Sequence, residues 1–274
     1  MSDAGRLRRD SGESVRPGGL GNARYLFRNW PGIARRVRAA RRVAIFTDFD
    51  GVLVRIQPRP SSVRLPEVRR RLLARLARHP RISLWIVSGR RLADIRRRAG
   101  RVGARLAGLH GWEREDTPPP AAAGRLALRR AGQLLRERLR GLRGIWVEDK
   151  EWALAVHYRA AAGARVRLAR RVLREVMWPF APALRLMQGK MVWEVVPRET
   201  ESRGQAVRNL LREEPLGSLP VYMGDDFSDE SAFHALRRGI TLHVGSTRTT
   251  RAQYYLHNPE EVMTFLERLE EEVS

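Results

Sequence analysis

From Val43 onward the chain alternates short, almost unbroken apolar runs with stretches whose apolar residues recur at helical spacing. The apolar runs are "VAIFTDFDG", "ISLWIVSGR", "RLAGLHG", "VYMGDD" and "ITLHVG", and each gives way to glycine, serine or aspartate. Between the first two, "LPEVRRRLLARLARHP" repeats Val68, Leu72, Leu73 and Leu76 at helical spacing, bracketed by Pro66 and Pro80, which predicts a helix. Continuous apolar strands alternating with helices imply an α/β fold, a Rossmann-like parallel sheet covered on both faces. Ligands bind such sheets at the carboxyl ends of the strands, where the polar residues of these runs gather.

The rhythm breaks near Thr117 at the proline cluster "TPPPAAAG". A helix over Leu126 to Leu142 follows, then strand-like "GIWVED" and "WALAVHYR", a helix over Ala164 to Met177, and strand-like "ALRLMQG" and "KMVWEVV". The simplest parse is an α+β insert at 117–197 within a core of 41–116 and 198–274. Residues 1–40 read as a polar arm leading into a basic amphipathic segment, in which Tyr25, Leu26, Trp30 and Ile33 are suited to packing on the body. No chemistry is legible there.

Composition narrows the classes. The 274 residues, 43% of them hydrophobic, describe a globular chain large enough for a core and a second unit. There is no cysteine, hence no disulfide framework, thiolate nucleophile or zinc–thiolate site, which suits a cytoplasmic location. No apolar run approaches the roughly 20 residues of a membrane helix, and the basic N-terminus lacks the apolar core of a secretory signal. The net charge is +23, yet the chain contains only two lysines, Lys150 and Lys190, among 53 basic residues. So complete an arginine bias reads as genome composition acting on every solvated face. A basic surface still attracts anions, and nucleic acid non-specifically, but no nucleic-acid reading module is recognisable.

Asp48 and Asp50, two positions apart at a strand end before Gly51, are either an acidic turn or the heart of a phosphate-transfer site. In the second case one carboxylate attacks phosphorus and the other handles the leaving-group proton. Ser88 ends the next strand with a hydroxyl suited to a phosphate oxygen, and "GDDFSDE" adds Asp225, Asp226 and Asp229. With Asp48 these make an oxygen-only cluster suited to Mg²⁺; the same acids also suit a helix N-terminus, and both readings can hold together.

In order, "DFDGVL", "VSGR", "AGLHGWE", "HYR", "GKMVWEV" and "GDDFSDE" resemble the haloacid-dehalogenase-type phosphatases, and within them the trehalose-6-phosphate phosphatases, over about Ala44 to Leu242. The resemblance implies that Asp48 is the nucleophile forming an aspartyl-phosphate and Asp50 the general acid/base. It implies Mg²⁺ on Asp48, the Asp50 backbone carbonyl and Asp225, with Asp226 or Asp229 in support, and Ser88 on the transferring phosphoryl group. It also implies that Gly89, Arg90 and His110, in the motifs that flank this site, bind substrate. The insert becomes a cap that excludes water and reads the leaving group. Its sugar-contacting motifs match "VEDKEWALAVHYR" and "GKMVWEV", implicating Glu148, Lys150, His157, Arg159, Lys190 and Glu194. Both lysines of an otherwise all-arginine chain fall inside these motifs, where a compact donor fits and a planar fork does not.

Three positions depart from the family pattern. Arg203 in "ESRGQA" stands where the family carries its core lysine, Val52 where it often has threonine, and Ser228 where threonine is usual. Three readings follow. The first is Mg²⁺-dependent hydrolysis of trehalose 6-phosphate, with another glycosyl phosphate as the nearest variant. The second is a sugar-phosphate sensor weakened by Arg203. The third, driven by charge alone, is nucleic-acid binding. With no synthase domain evident, the enzyme that makes the sugar phosphate is expected on a separate chain.

Overall fold

The computed structural model describes residues 23–57, 62–116, 122–189, 191–246 and 249–274. Lys190, half of the lysine argument, lies outside the described residues. Seven strands form one parallel sheet: β1 (Arg24–Tyr25), β2 (Val43–Thr47), β3 (Ile82–Val87), β4 (Arg105–Ala107), then β9 (Leu219–Gly224), β10 (Ile240–Val244) and β11 (Tyr254–Leu256). The intervening β5 (Trp146–Asp149), β6 (Leu154–His157), β7 (Leu184–Gly189) and β8 (Val192–Pro197) form a separate antiparallel sheet. The parallel sheet is ordered β1-β11-β10-β9-β2-β3-β4. From β2 the chain winds outward one way through β3 and β4, and returns at β9 to wind the other way. The β2/β9 boundary is therefore the switch point at which such sheets open a crevice.

Strand alternation feeds two cores. Val43 and Ile45 of β2 point toward a layer containing α1 (Trp30–Ala39), α2 (Glu67–Arg78), α3 (Leu92–Ala99) and α8 (Pro259–Val273). Ala44 and Phe46 point to the opposite face, onto α6 (Arg203–Arg212) and α7 (Glu230–Ala235). All five residues of β2 are buried, as a central parallel strand requires. In α2 the helix is where its spacing puts it, but only Leu72, Leu73 and Leu76 are buried. Val68, in the first turn, is 78% exposed. The basic amphipathic segment joins the body: β1 pairs with β11, and Leu26, Ile33 and Val37 are buried in the α1–α8 layer.

The antiparallel sheet runs β5-β6-β8-β7, with α4 (Ala122–Arg138) and α5 (Gly163–Met177) on one face. Leu154, Val156, Trp193 and Val195 point into those helices. Their neighbours Ala155, His157 and Glu194 therefore look the other way, toward the carboxyl edge of the parallel sheet. A small apolar contact of Leu109, Ala153 and Val196, flanked by Trp112, Trp152 and Met187, seats this face on the core.

Candidate active site

β2 and β9 end side by side, and their last residues start the site. Asp48 donates its N–H to Met223 O at 2.9 Å, which extends the β2–β9 pairing by one residue and aims the carboxylate into the crevice. The chain then turns at Gly51, whose φ of +81° is a left-handed conformation and where a Cβ would strike the Asp225 carboxylate. Glycine is needed here for both reasons, and it brings the two acids together.

Asp48, only 6% exposed, accepts from Phe49 N–H at 2.6 Å on Oδ1 and from Arg203 Nη1 at 2.6 Å on Oδ2. The same Nη1 donates to Asp229 Oδ1, which also accepts from Tyr222 Oη at 2.6 Å. Asp229 Oδ2 takes the Asp226 N–H at 2.8 Å, and Asp226 in turn caps Phe227 N, so these two acids build a capping box around the 3-10 turn Phe227–Asp229. The helix-terminus reading of "GDDFSDE" thus holds. Burial pushes Asp48 well above the usual carboxylate range; Arg203 opposes this and the nearby Asp229 and Asp225 add to it. Arg203 is fully enclosed by these carboxylates, and despite the cost of burial they hold its guanidinium more firmly protonated than usual.

Asp48, Asp225 and Asp229 each offer a carboxylate oxygen, all within 4.8 Å of one another. Three buried or half-buried oxygen donors, crowded beside one guanidinium, fit a hard divalent cation. Of the three, Asp229 carries three hydrogen bonds within the protein. Asp226 lies outside this cluster, and the Asp50 carboxylate is held elsewhere.

Arg90 grips Asp50 with both arms, Nε to Oδ2 at 2.6 Å and Nη2 to Oδ1 at 2.8 Å, while its Nη1 donates to Asp94 Oδ2 at 2.9 Å. Asp94 also accepts from Arg97 and Arg98; these hydrogen bonds outweigh its partial burial and bring its carboxyl down to about 2. Ser88, at the end of β3, is 1% exposed, and its Oγ accepts from Arg90 N–H at 3.2 Å. Its hydroxyl hydrogen remains available for an incoming oxygen.

The antiparallel sheet supplies the roof. Lys150 Nζ donates to Glu194 Oε1 at 2.5 Å and to Gly89 O at 2.9 Å, so a roof lysine reaches the loop after β3. Burial alone would raise Glu194, but Lys150 and His110 outweigh it and hold this carboxyl well below its usual range. Across the sheet, His157 Nε2 and Glu148 Oε2 are 2.7 Å apart, which lowers Glu148 in spite of its partial burial. Arg159 Nη1 reaches Gln57 O at 3.5 Å, a second bridge to the core. One open cavity of about 480 Å³ is lined by floor and roof alike, from Asp48, Ser88 and Arg203 to Glu148, Lys150, His157, Arg159 and Glu194. Every described residue assigned to the site from the sequence lines it except Asp229, which stands one hydrogen bond behind.

Several participants escaped the sequence. Tyr222 hides in an apolar strand, where nothing distinguishes it from core. Trp146 stacks on His157, ring centroids 4.4 Å apart and planes 12° off parallel, and no motif marks it. Asp94 was findable, since it lies four residues from both Arg90 and Arg98 on one helix.

A doubly wound parallel sheet roofed by an inserted antiparallel sheet is the haloacid-dehalogenase-type fold. Within it, the chain belongs to the trehalose-phosphatase family, whose model matches residues 46–260. It is 35% identical over 253 residues to a trehalose-phosphate phosphatase of Mycolicibacterium paratuberculosis, a match covering 86% of this chain and 64% of that protein. It thus spans a little under two thirds of that relative's length. A trehalose-6-phosphate phosphatase of Escherichia coli K12 is 33% identical, with 82% and 86% covered. Among solved structures, the C-terminal domain of the Candida albicans trehalose-6-phosphate phosphatase superposes with a TM-score of 0.79 at 22% identity, covering 93% of this chain and 100% of that one.

Proposed function

We propose that this chain is a Mg²⁺-dependent phosphomonoesterase that hydrolyses trehalose 6-phosphate to trehalose and inorganic phosphate, a step of trehalose biosynthesis. The observation that carries the reading is the single cavity joining the Asp48–Ser88–Arg203 floor to a roof of alternating acids and bases. Its volume of about 480 Å³ suits a small polar ligand. A disaccharide presents hydroxyls that both donate and accept, which Glu148, Lys150, His157, Arg159 and Glu194 can answer in kind. The core of 41–116 and 198–274 then supplies the chemistry and the insert of 117–197 the specificity.

An Asp48 carboxylate oxygen attacks phosphorus, the bond from phosphorus to the sugar's 6-oxygen breaks, and Asp50 gives the departing oxygen a proton. Water then attacks the aspartyl-phosphate, Asp50 takes its proton, inorganic phosphate leaves and Asp48 is regenerated. Asp50 can do this only after Arg90 loosens its double hold, and an arriving phosphate offers that guanidinium a competing anion. Ser88 Oγ–H and Arg203 hold the phosphoryl oxygens and the nucleophile. Asp48, the Asp50 carbonyl and Asp225 would hold Mg²⁺, which supplies neutralisation of the charge that builds on the transferring group. The nearly dry Arg203 bridge from Asp48 to Asp229 does what a lysine at this position would do, and this favours turnover over a sensor role.

Phosphate release from a panel of sugar phosphates tests the proposal. Trehalose 6-phosphate should be preferred, with activity present in Mg²⁺ and absent in chelator. No Mg²⁺-dependent release from it would sink the reading.

A further inference from the structure

Arg203 bonds through two nitrogens, where a lysine has one. Its Nη1 spans Asp48 and Asp229, while its Nη2 lies 2.7 Å from His110 Nδ1. A guanidinium only donates, so Nδ1 must be the ring's acceptor. The ring proton then sits on Nε2 and is donated to Glu194 Oε2. The other Glu194 oxygen takes Lys150, which reaches back to Gly89 O. A continuous buried path therefore runs from the nucleophile to the sugar-facing carboxylate of the roof, with Arg203 at 2% and Glu194 at 5% exposure.

The ring is seated from other sides as well. The His110 backbone has φ 63°, a conformation uncommon for residues other than glycine, and its N–H donates to Ser88 O at 2.8 Å. A Cβ on Gly89 would strike the imidazole, so the loop after β3 closes directly against it. A strained backbone, a glycine contact and two ring hydrogen bonds converge on one orientation.

We propose that Arg203 and His110 are a matched pair of positioning residues. Arg203 fixes the tautomer of His110, and His110 fixes the Glu194 carboxylate, so that the sugar-reading face is held in register with Asp48. A lysine at 203 offers a single ammonium. It can satisfy the two carboxylates but leaves His110 Nδ1 without this donor and the tautomer unfixed. Arginine at this position is then a second way of wiring the site, tied to His110.

The kinetic half of the test rests on the trehalose 6-phosphate reading; the spectroscopic half does not. In protein labelled with ¹⁵N-histidine, without metal or substrate, His110 should show the neutral Nε2–H tautomer. In Arg203→Lys that signature should give way to mixed tautomers or a protonated ring. Arg203→Lys should also lower kcat/KM for trehalose 6-phosphate on the order of tenfold more than for p-nitrophenyl phosphate, which has no sugar to offer Glu194. His110→Gln, keeping one acceptor and one donor, should recover part of the discrimination lost in His110→Ala. An Nδ1–H tautomer in the wild type, a His110 signal unmoved by Arg203→Lys, or equal losses on both esters would overturn the proposal. Wild-type activity on the aryl ester alone would remove the substrate reading, while the tautomer would still judge the Arg203–His110 pair.

Discussion

The surroundings of Asp48 disfavour its charged form. Burial and two neighbouring carboxylates raise its carboxyl more than Arg203 lowers it. Because the folded value lies above the unfolded one, its contribution to stability is present at low pH and is lost as pH rises through the raised value. Asp48→Asn keeps an oxygen for Arg203 and removes the charge. In chelator it should raise Tm at neutral pH, at about 2–4 °C per kcal/mol relieved, and the gain should shrink as pH falls. Turnover should vanish, since an amide is no nucleophile. An unchanged or lowered Tm in calorimetry, or near-wild-type rates, would contradict this account of Asp48. At this scale the sequence was informative wherever a residue type was unusual for its place: paired acids at a strand end, a lysine in an arginine-rich chain. It was silent on partnerships made across the fold. Arg203 looked like a bulky stand-in for lysine, and only the structure supplies His110 as the reason for its second nitrogen.

Elements place these residues, and their hydrophobic period made most of them legible. Unbroken apolar runs gave the parallel strands, and in β8 the alternation of Trp193 and Val195 with Glu194 separates helix-facing from site-facing positions. Periodicity failed where burial depends on a neighbour rather than on spacing, as at Val68, and in the turn Leu109–Gly111, whose positive φ values no pattern announces. The helix α3 shows how an element reaches the site without entering it. Its Asp94 anchors Arg90, Arg97 and Arg98, and through Arg90 it steadies Asp50. The Asp94 carboxyl is depressed to about 2, so its stabilisation is complete above the usual aspartate range and is lost as pH falls through that value. Asp94→Asn should cost about 1 kcal/mol at neutral pH, after discounting for solvent around a part-exposed group, and the difference from wild type should close between about pH 4 and pH 2. Denaturant unfolding across that range checks it; a gap that stays constant with pH would assign the loss to packing instead.

On the scale of the molecule, two sheets meet over one cavity, joined by the small apolar contact around Leu109, Ala153 and Val196 and by specific polar links: Lys150 to Gly89, Arg159 to Gln57, His110 to Glu194. The boundary between the two was readable from the proline break near Thr117 and the helix–strand–strand order that follows it twice. The contacts across it were not, because they join residues far apart in sequence. The charge of +23 dominates the composition, yet the cavity is lined as much by acids as by bases, so the overall charge does not describe the site. No helix among the described residues is long and apolar enough to cross a membrane. The central claim, that Asp48 takes the phosphoryl group from trehalose 6-phosphate, has a direct test. Enzyme mixed with trehalose 6-phosphate and Mg²⁺ is quenched in acid within one turnover, and its peptides are weighed and fragmented. A phosphoryl group should appear on Asp48 and be absent in Asp48→Asn; an adduct on Asp50, or none despite released phosphate, would rule Asp48 out as the nucleophile.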